Sequence, residues 1–332
     1  MISKMKPEEG GSRMAIVFNG SPLFNGGPNS GESAIRRWII ENDWLEAIVG
    51  LPENLFYNTG IHTYIWVLSN RKPEERKGKI QLIDAREMYE EMDESLGEKR
   101  HKLNGRSHPT RSPTSSATSR QTAARRLLDN KEFGYRRIVI DRPLRMSFQA
   151  TEERIESLDD ERAFTNRDEE TQEGIKEVLC SLDEETVWMD REEFMHELEQ
   201  AFNRHGVNVR QSVYNAIERT LGVRDSAAEI VTNSKGNPEH DSDLRERERV
   251  PLGGDPRKYF EQEVKPHVEN AWINESSKYH DDQDGKLGVV GYEINFNRHF
   301  YEYEPPRPLE EINADIRELE EEISDLLGEV SE

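Results

Sequence analysis

Glu46-Ala-Ile-Val-Gly-Leu51 and Thr63-Tyr-Ile-Trp-Val-Leu68 are two apolar, β-branched runs joined by a segment rich in turn formers. Neither alternates apolar with polar residues, so both read as strands covered on each face rather than as half-exposed hairpin arms. Working upstream, Arg13-Met-Ala-Ile-Val-Phe18 is a third short β-rich run, ended by the turn pair Asn19-Gly20. Between these runs, Gly31 to Asp43 reads as a helix capped by Ser30 or Ser33, with Ile35, Trp38 and Ile39 on its apolar face. Downstream, Lys79 to Asp84 is a fourth strand, and a helical stretch is expected from Arg86. Strands interleaved with a helix in this manner predict an α/β domain.

Residues 99–128 break the pattern. They contain no Asp or Glu, although 67 of the 332 residues are acidic. The stretch is rich in Ser, Thr and Arg, with Pro109 and Pro113 interrupting regular structure. Two readings stand: a flexible linker, or a segment translated in a shifted frame.

From Lys131 onward helices are expected to dominate. Thr151 caps a helix running from Glu152 to Phe164, with acids in its first turn. Ile175, Val178, Leu179 and Leu182 share one face of a second. Asp190 and Glu193 form a capping box before Phe194, Leu198 and Phe202. Val213, Ile217 and Leu221 mark a further helix stopped by Gly222, and Asp255-Pro256 opens another with Tyr259, Phe260 and Val264. Residues 233–254 read as a polar loop, and Gly288 to Tyr303 as β-like. At the end of the sequence Leu309, Ile312, Ile316, Leu319, Ile323, Leu326 and Val330 recur in alternating steps of three and four, an a/d seam of about three heptads. The outer face is acidic (Glu310, Glu311, Glu318, Glu320, Glu321, Glu322 and Asp325), with Arg317 its only cation. Such a helix packs either on its own domain or on a partner.

The formal net charge is −22. That argues against a chain that grips DNA unaided, and fits an acidic subunit with a basic partner, a surface suited to high salt, or both. A single cysteine, Cys180, excludes an internal disulfide framework and suits a reducing cytoplasm. It reads as a small residue on a helix face. No apolar run reaches bilayer length, and no His or Cys pair has metal-ligand spacing, so neither membrane nor metal is expected.

Residues 51–72, LPENLFYNTGIHTYIWVLSNRK, resemble the modification subunit of type I restriction-modification systems. So do Gly31-Glu32-Ser33 with Ile35-Arg36-Arg37, and the later stretches NKEFGYRRIVIDRPLR (130–145), NAWI (270–273) and GYEINFNRHFYEYEPPRPLEEI (291–312). The likeness spans nearly the whole sequence except 99–128, where the family carries an acidic helical segment. It implies adenine-N6 DNA methylation with S-adenosylmethionine, in a complex with a specificity subunit, a restriction subunit and DNA. It also implies a fold: the C-terminal part of a Rossmann-like class I methyltransferase sheet (strands five to seven, beginning at Arg13), then a mainly helical region and a coiled-coil-like C-terminal helix. The corresponding divisions are 1–98, partial catalytic domain; 99–130, irregular linker; 131–305, helical region; and 306–332, docking helix.

Two signatures implied by the resemblance do not occur in this sequence. Gly10-Gly11 follows no strand, and no Asn-Pro-Pro occurs; Asn237-Pro238 is a loop dipeptide. Methyl transfer needs the donor held in line with an amino nitrogen made more nucleophilic by a hydrogen-bond acceptor. The chain is therefore expected to lack cofactor binding and activity by itself, and its first strand to present a bare apolar edge. The alternative is a non-catalytic interaction module or gene remnant that docks on the specificity subunit. In such enzymes the target base is flipped out and stacked on aromatic side chains, and the resemblance places Phe56 and Tyr57 in the loop that supplies them. A Phe between Leu55 and Ile61 is equally consistent with a core plug. Leu309, Ile312, Ile316, Leu319, Ile323 and Leu326 are the candidate docking residues. Arg36-Arg37 and Arg136-Arg137 could touch phosphates or form ion pairs, and His62 reads as structural.

Overall fold

The computed structural model describes residues 2–6, 8, 10–103, 123–301, 303, 306 and 308–330; of the last helix, side chains are described only to residue 323, without 318, 321 and 322. The chain divides into two units. The first comprises residues 1–25, 39–130 and 293–332, the second residues 26–38 and 131–292.

In chain order the N-terminal elements are β1 (Arg13–Phe18), α1 (Ser21–Phe24), α2 (Gly31–Glu41), β2 (Leu45–Leu51), β3 (Thr63–Ser69), β4 (Lys79–Asp84), β5 (Tyr89–Leu96), β6 (Lys99–Leu103) and β7 (Ala124–Asp129). The first unit is built on a mixed sheet in the order β1-β3-β2-β4-β7, with β2 and β4 parallel and the other pairs antiparallel. The apolar runs at residues 46–51 and 63–68 fall in β2 and β3, adjacent and almost wholly buried; Leu45, Ile48, Trp66 and Leu68 are among the core residues. Strand β1 is an outer strand and leaves Val17 and Phe18 exposed.

Two readings of the N-terminal elements are corrected. The stretch after Arg86 is not a helix but the hairpin β5–β6. Glutamates suggest helix there, yet Gly97 adopts φ 64° and closes a turn, so that Tyr89 stacks on His101 with ring centroids 3.9 Å apart and Lys102 faces Glu90. In α2, Ile35 and Trp38 are exposed and Arg36 is buried instead. Arg36 is held there because its guanidinium donates to the carbonyls of Tyr292 at 2.7 Å and Gly26 at 3.1 Å. Within the stretch 99–130, the two ends are strands β6 and β7, and residues 104–122, including Pro109 and Pro113, lie outside the described residues.

The remaining elements are β8 (Gly134–Asp141), β9 (Met146–Phe148), α3 (Glu152–Glu156), α4 (Arg162–Thr165), α5 (Glu169–Cys180), α6 (Arg191–His205), α7 (Gln211–Leu221), β10 (Gly222–Arg224), β11 (Glu246–Pro251), α8 (Pro256–Tyr259), β12 (Trp272–Ile273), β13 (Val289–Tyr292), α9 (Phe296–Phe300) and α10 (Leu309–Val330). In the second unit α3–α7 enclose a core containing Phe148, Phe164, Phe194, Phe202 and Ile217, with Phe148 and Phe194 stacked at 4.6 Å. Asp190 and Asp255 both act as N-caps. Asp190 accepts from the amides of Glu192 and Glu193, and Asp255 from those of Arg257 and Lys258.

The helical expectation for residues 131–305 is incomplete. Strand β8 is the centre of a second sheet, flanked by β11 on one side and by β12 and β13 on the other. The expected polar loop 233–254 therefore contains a strand, and only Val289–Tyr292 of the stretch 288–303 is β; Phe296–Phe300 is helical. Residues 152–164 form short turns, α3, a 3-10 turn and α4, rather than one helix. Cys180 lies exposed at the end of α5. Helix α10 forms over the heptad seam. No described helix is long and apolar enough to cross a membrane.

Candidate functional site

The loop between β2 and β3 carries Leu55, Phe56 and Tyr57, and its shape is set by backbone hydrogen bonds to the β5–β6 hairpin. Asn54, at φ 53°, accepts from the amides of Arg100 and His101 at 2.9 and 3.1 Å, while its side chain donates to the Glu98 carbonyl at 2.9 Å. The Glu98 amide donates to the Tyr57 carbonyl at 3.0 Å. The hairpin turn comes this close only because residue 97 is glycine: a Cβ there would stand 2.9 Å from the Tyr57 carbonyl oxygen. His62 is structural, with Nδ1 3.2 Å from the Leu51 carbonyl oxygen.

The result is a cleft of about 400 Å³. Its floor is apolar, from Val17 of β1, Leu51 of β2 and Ile65 of β3; Leu55, Phe56 and Tyr57 form one wall, and Lys99, Lys102 and Leu103 of β6 the other. Phe56 is 38% and Tyr57 59% exposed, so Phe56 does not sit in the core as a plug. The Lys99 ammonium lies 5.5 Å from the Tyr57 ring centroid. Flat aromatic faces beside two ammonium groups suit a planar ring carried on an anion. Lys99 and Lys102 were not singled out in the sequence; the signal available was the acid-free composition beginning at residue 99.

At the same end of these strands, on the opposite face of the sheet, Phe296 packs on β2. A Cβ on Gly50 would lie 2.9 Å from its ring, and Tyr64 meets it edge-on at 5.2 Å. Arg86 lies over the same ring, grips Asp84 at 2.6 and 2.8 Å, and donates to Asn297 at 2.6 Å. Burial pushes the Asp84 carboxyl up, but the Arg86 hydrogen bonds more than offset it and leave it below the usual range.

Among the other sequence candidates, Arg37 pairs with Asp281 at 2.7 Å and Arg136 with Asp284, which are structural ion pairs. No group of His, Cys, Asp and Glu that could hold a metal occurs among the described residues. The one Gly-Gly turn before β1 offers no cradle for S-adenosylmethionine. The Gly10-Gly11 turn is filled by the side chain of Arg71, whose Nη1 donates to the Gly10 carbonyl at 2.8 Å. The docking residues Leu309, Ile312, Ile316, Leu319 and Ile323 are all exposed on α10, and the Leu326 side chain lies outside the described residues.

Residues 1–108, which contain both walls of the cleft, match the family described as N-6 DNA Methylase. The chain is similar to the methylase subunits of type I restriction enzymes. The MjaVII methylase subunit of Methanocaldococcus jannaschii is 47% identical over 73 residues, 22% of this chain and 12% of that protein. The HindI methylase subunit of Haemophilus influenzae is 38% identical over 88 residues, 26% of this chain and 18% of that one. A solved type I restriction-modification methyltransferase subunit from Streptococcus thermophilus aligns with a TM-score of 0.24 and 27% identity, over 28% of this chain and 18% of that chain. The matched stretches thus span less than a fifth of these relatives' length.

Proposed function

We propose that this chain is the part of a type I adenine-N6 DNA methyltransferase that forms a wall of the target-base pocket and carries a docking helix. The observation that carries this reading is the Phe56–Tyr57 cleft with its lysine rim, inside the stretch that matches the N-6 DNA methylase family. Phe56 and Tyr57 would stack on a flipped adenine, and Lys99 and Lys102 would meet the phosphates beside it. Strands β1, β2 and β3 would correspond to strands five, six and seven of the methyltransferase sheet; their adjacency in one mixed sheet supports that assignment. The methyl donor and the group that activates the adenine amine would come from residues outside this sequence, since Arg71 fills the one Gly-Gly turn preceding β1. In this reading the chain alone transfers no methyl group.

A single-stranded oligonucleotide carrying 2-aminopurine tests the pocket. Saturable quenching is expected with the full chain, and Phe56→Ala should weaken it by about 1–3 kcal/mol, roughly 5- to 150-fold. Quenching identical in Phe56→Ala and Tyr57→Ala would overturn the assignment.

The second reading, an interaction module without catalytic contribution, is favoured by α10. Its five described seam residues are 40–75% exposed, which is an apolar row with an acidic opposite face. Such a helix repels copies of itself and prefers a less acidic partner. The specificity subunit is the proposed partner, with the restriction subunit and DNA completing the complex.

A further inference from the structure

Thr63 opens β3, and its side-chain hydroxyl is buried without a hydrogen-bond partner, the one hydroxyl in that state among the described residues. Ser69, as deeply buried at the other end of the same strand, has its oxygen taken by the amide of Arg71 at 3.1 Å. A buried polar group left unpaired is costly, and native structures hold few of them. Valine has the same shape, carries no such cost and suits a strand at least as well. A hydroxyl at residue 63 therefore weakens the fold unless something that enters from outside bonds it.

Strand register fixes where that hydroxyl stands. Thr63 pairs across β2 with Leu51, and Ile65 follows it by two residues, so the three side chains share one face of the sheet. Leu51 and Ile65 belong to the floor of the aromatic cleft. The backbone is held there as well, with His62 Nδ1 3.2 Å from the Leu51 carbonyl oxygen. The polar side chains lining the cleft itself are Lys99, Lys102 and Tyr57. Lys102 and Tyr57 are exposed and Lys99 half-exposed, so these groups bond water and stand where a phosphate passes. Thr63 is the buried donor on the floor side, where an aromatic ring would lose its own hydration. An exocyclic amine has no need of it in the base-pocket reading, which takes the activating acceptor from outside this sequence. What a buried O–H can still match is a ring nitrogen, an acceptor that every purine carries.

We propose, resting on the base-pocket reading of the cleft, that Thr63 is its specificity-determining residue: the hydroxyl donates to a ring nitrogen of the purine stacked on Phe56 and Tyr57. The full chain is titrated with the 2-aminopurine oligonucleotide, and competitors displace it. These are single-stranded, otherwise abasic oligonucleotides that carry one adenine, 1-deazaadenine, 3-deazaadenine or 7-deazaadenine, in which a C–H replaces one ring nitrogen. With wild type, one of the three deaza competitors is expected to bind about fivefold or more weakly than adenine, because the hydroxyl then stays unpaired. Thr63→Val should bind that competitor and adenine equally, and Thr63→Ser, which keeps the hydroxyl, should restore the difference. A second readout separates binding from folding: without ligand, Thr63→Val melts at or above the wild-type temperature, because an unpaired buried group has been removed. Three deaza competitors that all match adenine on wild type, or a difference that survives in Thr63→Val, would overturn the role of Thr63 and leave the cleft's assignment standing. A lower melting temperature in Thr63→Val would also overturn it, since the hydroxyl would then be bonded within the protein. No quenching of 2-aminopurine by wild type would bring down the base-pocket reading and the role of Thr63 together.

Discussion

Asp281→Asn removes one charge and almost no volume, and the structure states what that charge holds. The carboxylate is buried and accepts from Arg37 Nη1 at 2.7 Å and Nη2 at 3.0 Å, from the amide of Val290 at 3.0 Å, and from those of Gln283 and Asp284 at 3.2 and 3.3 Å. Burial alone would raise its pKa; the hydrogen bonds from Arg37 and Val290 reverse the sign and bring it to about 2, from an ordinary 3.8. At about 1.4 kcal/mol per pKa unit, that depression corresponds to roughly 2 kcal/mol of stability. Leaving Arg37 buried without its counter-charge adds to the loss, since breaking a buried pair costs about 3–5 kcal/mol. The expected destabilisation of the second unit at pH 7 is about 3 kcal/mol, or roughly 6–12 °C in melting temperature. The pH dependence has a definite sign. The folded pKa is depressed, so the stabilisation is complete above the unfolded value and is lost as pH falls through about 2. Wild type and variant should therefore differ at pH 7 and converge between pH 4 and pH 2. Urea unfolding followed by tryptophan fluorescence and circular dichroism measures both. A variant within 0.5 kcal/mol of wild type at pH 7 (roughly the scatter of neutral surface changes), or a gap that does not narrow in acid, would refute the reasoning.

Gly50→Val should displace the Phe296 ring, which stands 2.9–3.0 Å from where a Cβ would be, and destabilise the first unit by about 1–3 kcal/mol; an unchanged thermal midpoint would show that the ring yields without cost. Leu319→Asp with Ile323→Asp should abolish co-purification with a specificity subunit while leaving helical content elsewhere intact, since each side chain contributes about 2–3 kcal/mol when buried at a helix interface. Retained co-purification, or proteolytic opening of residues 131–300 in the double variant, would show that α10 does not dock as proposed.

Short-range chemistry carried the sequence reading furthest. Strands β1 and β4 have the boundaries read from their apolar runs, and β2 and β3 differ from theirs by one residue at one end. Asp190, Asp255 and Thr151 act at helix starts as their residue types require, because capping involves only the next few amides. The aromatic pair of the cleft was legible in its loop, and so was the seam of α10. What the sequence could not contain was pairing at a distance. Lys99 and Lys102 face Phe56 and Tyr57 only because a turn at Gly97 folds β6 back and Asn54 ties the loop to it. Arg36 is buried in preference to Ile35 and Trp38 because carbonyls at Gly26 and Tyr292 meet it. Arg137 meets Arg249 through a strand register set more than a hundred residues along the chain. Periodicity reports which residues can leave water; which partner satisfies a buried cation or completes a cleft is decided only when the sheet closes, because hydrogen bonds and charges act over a few ångströms of space and not along the sequence.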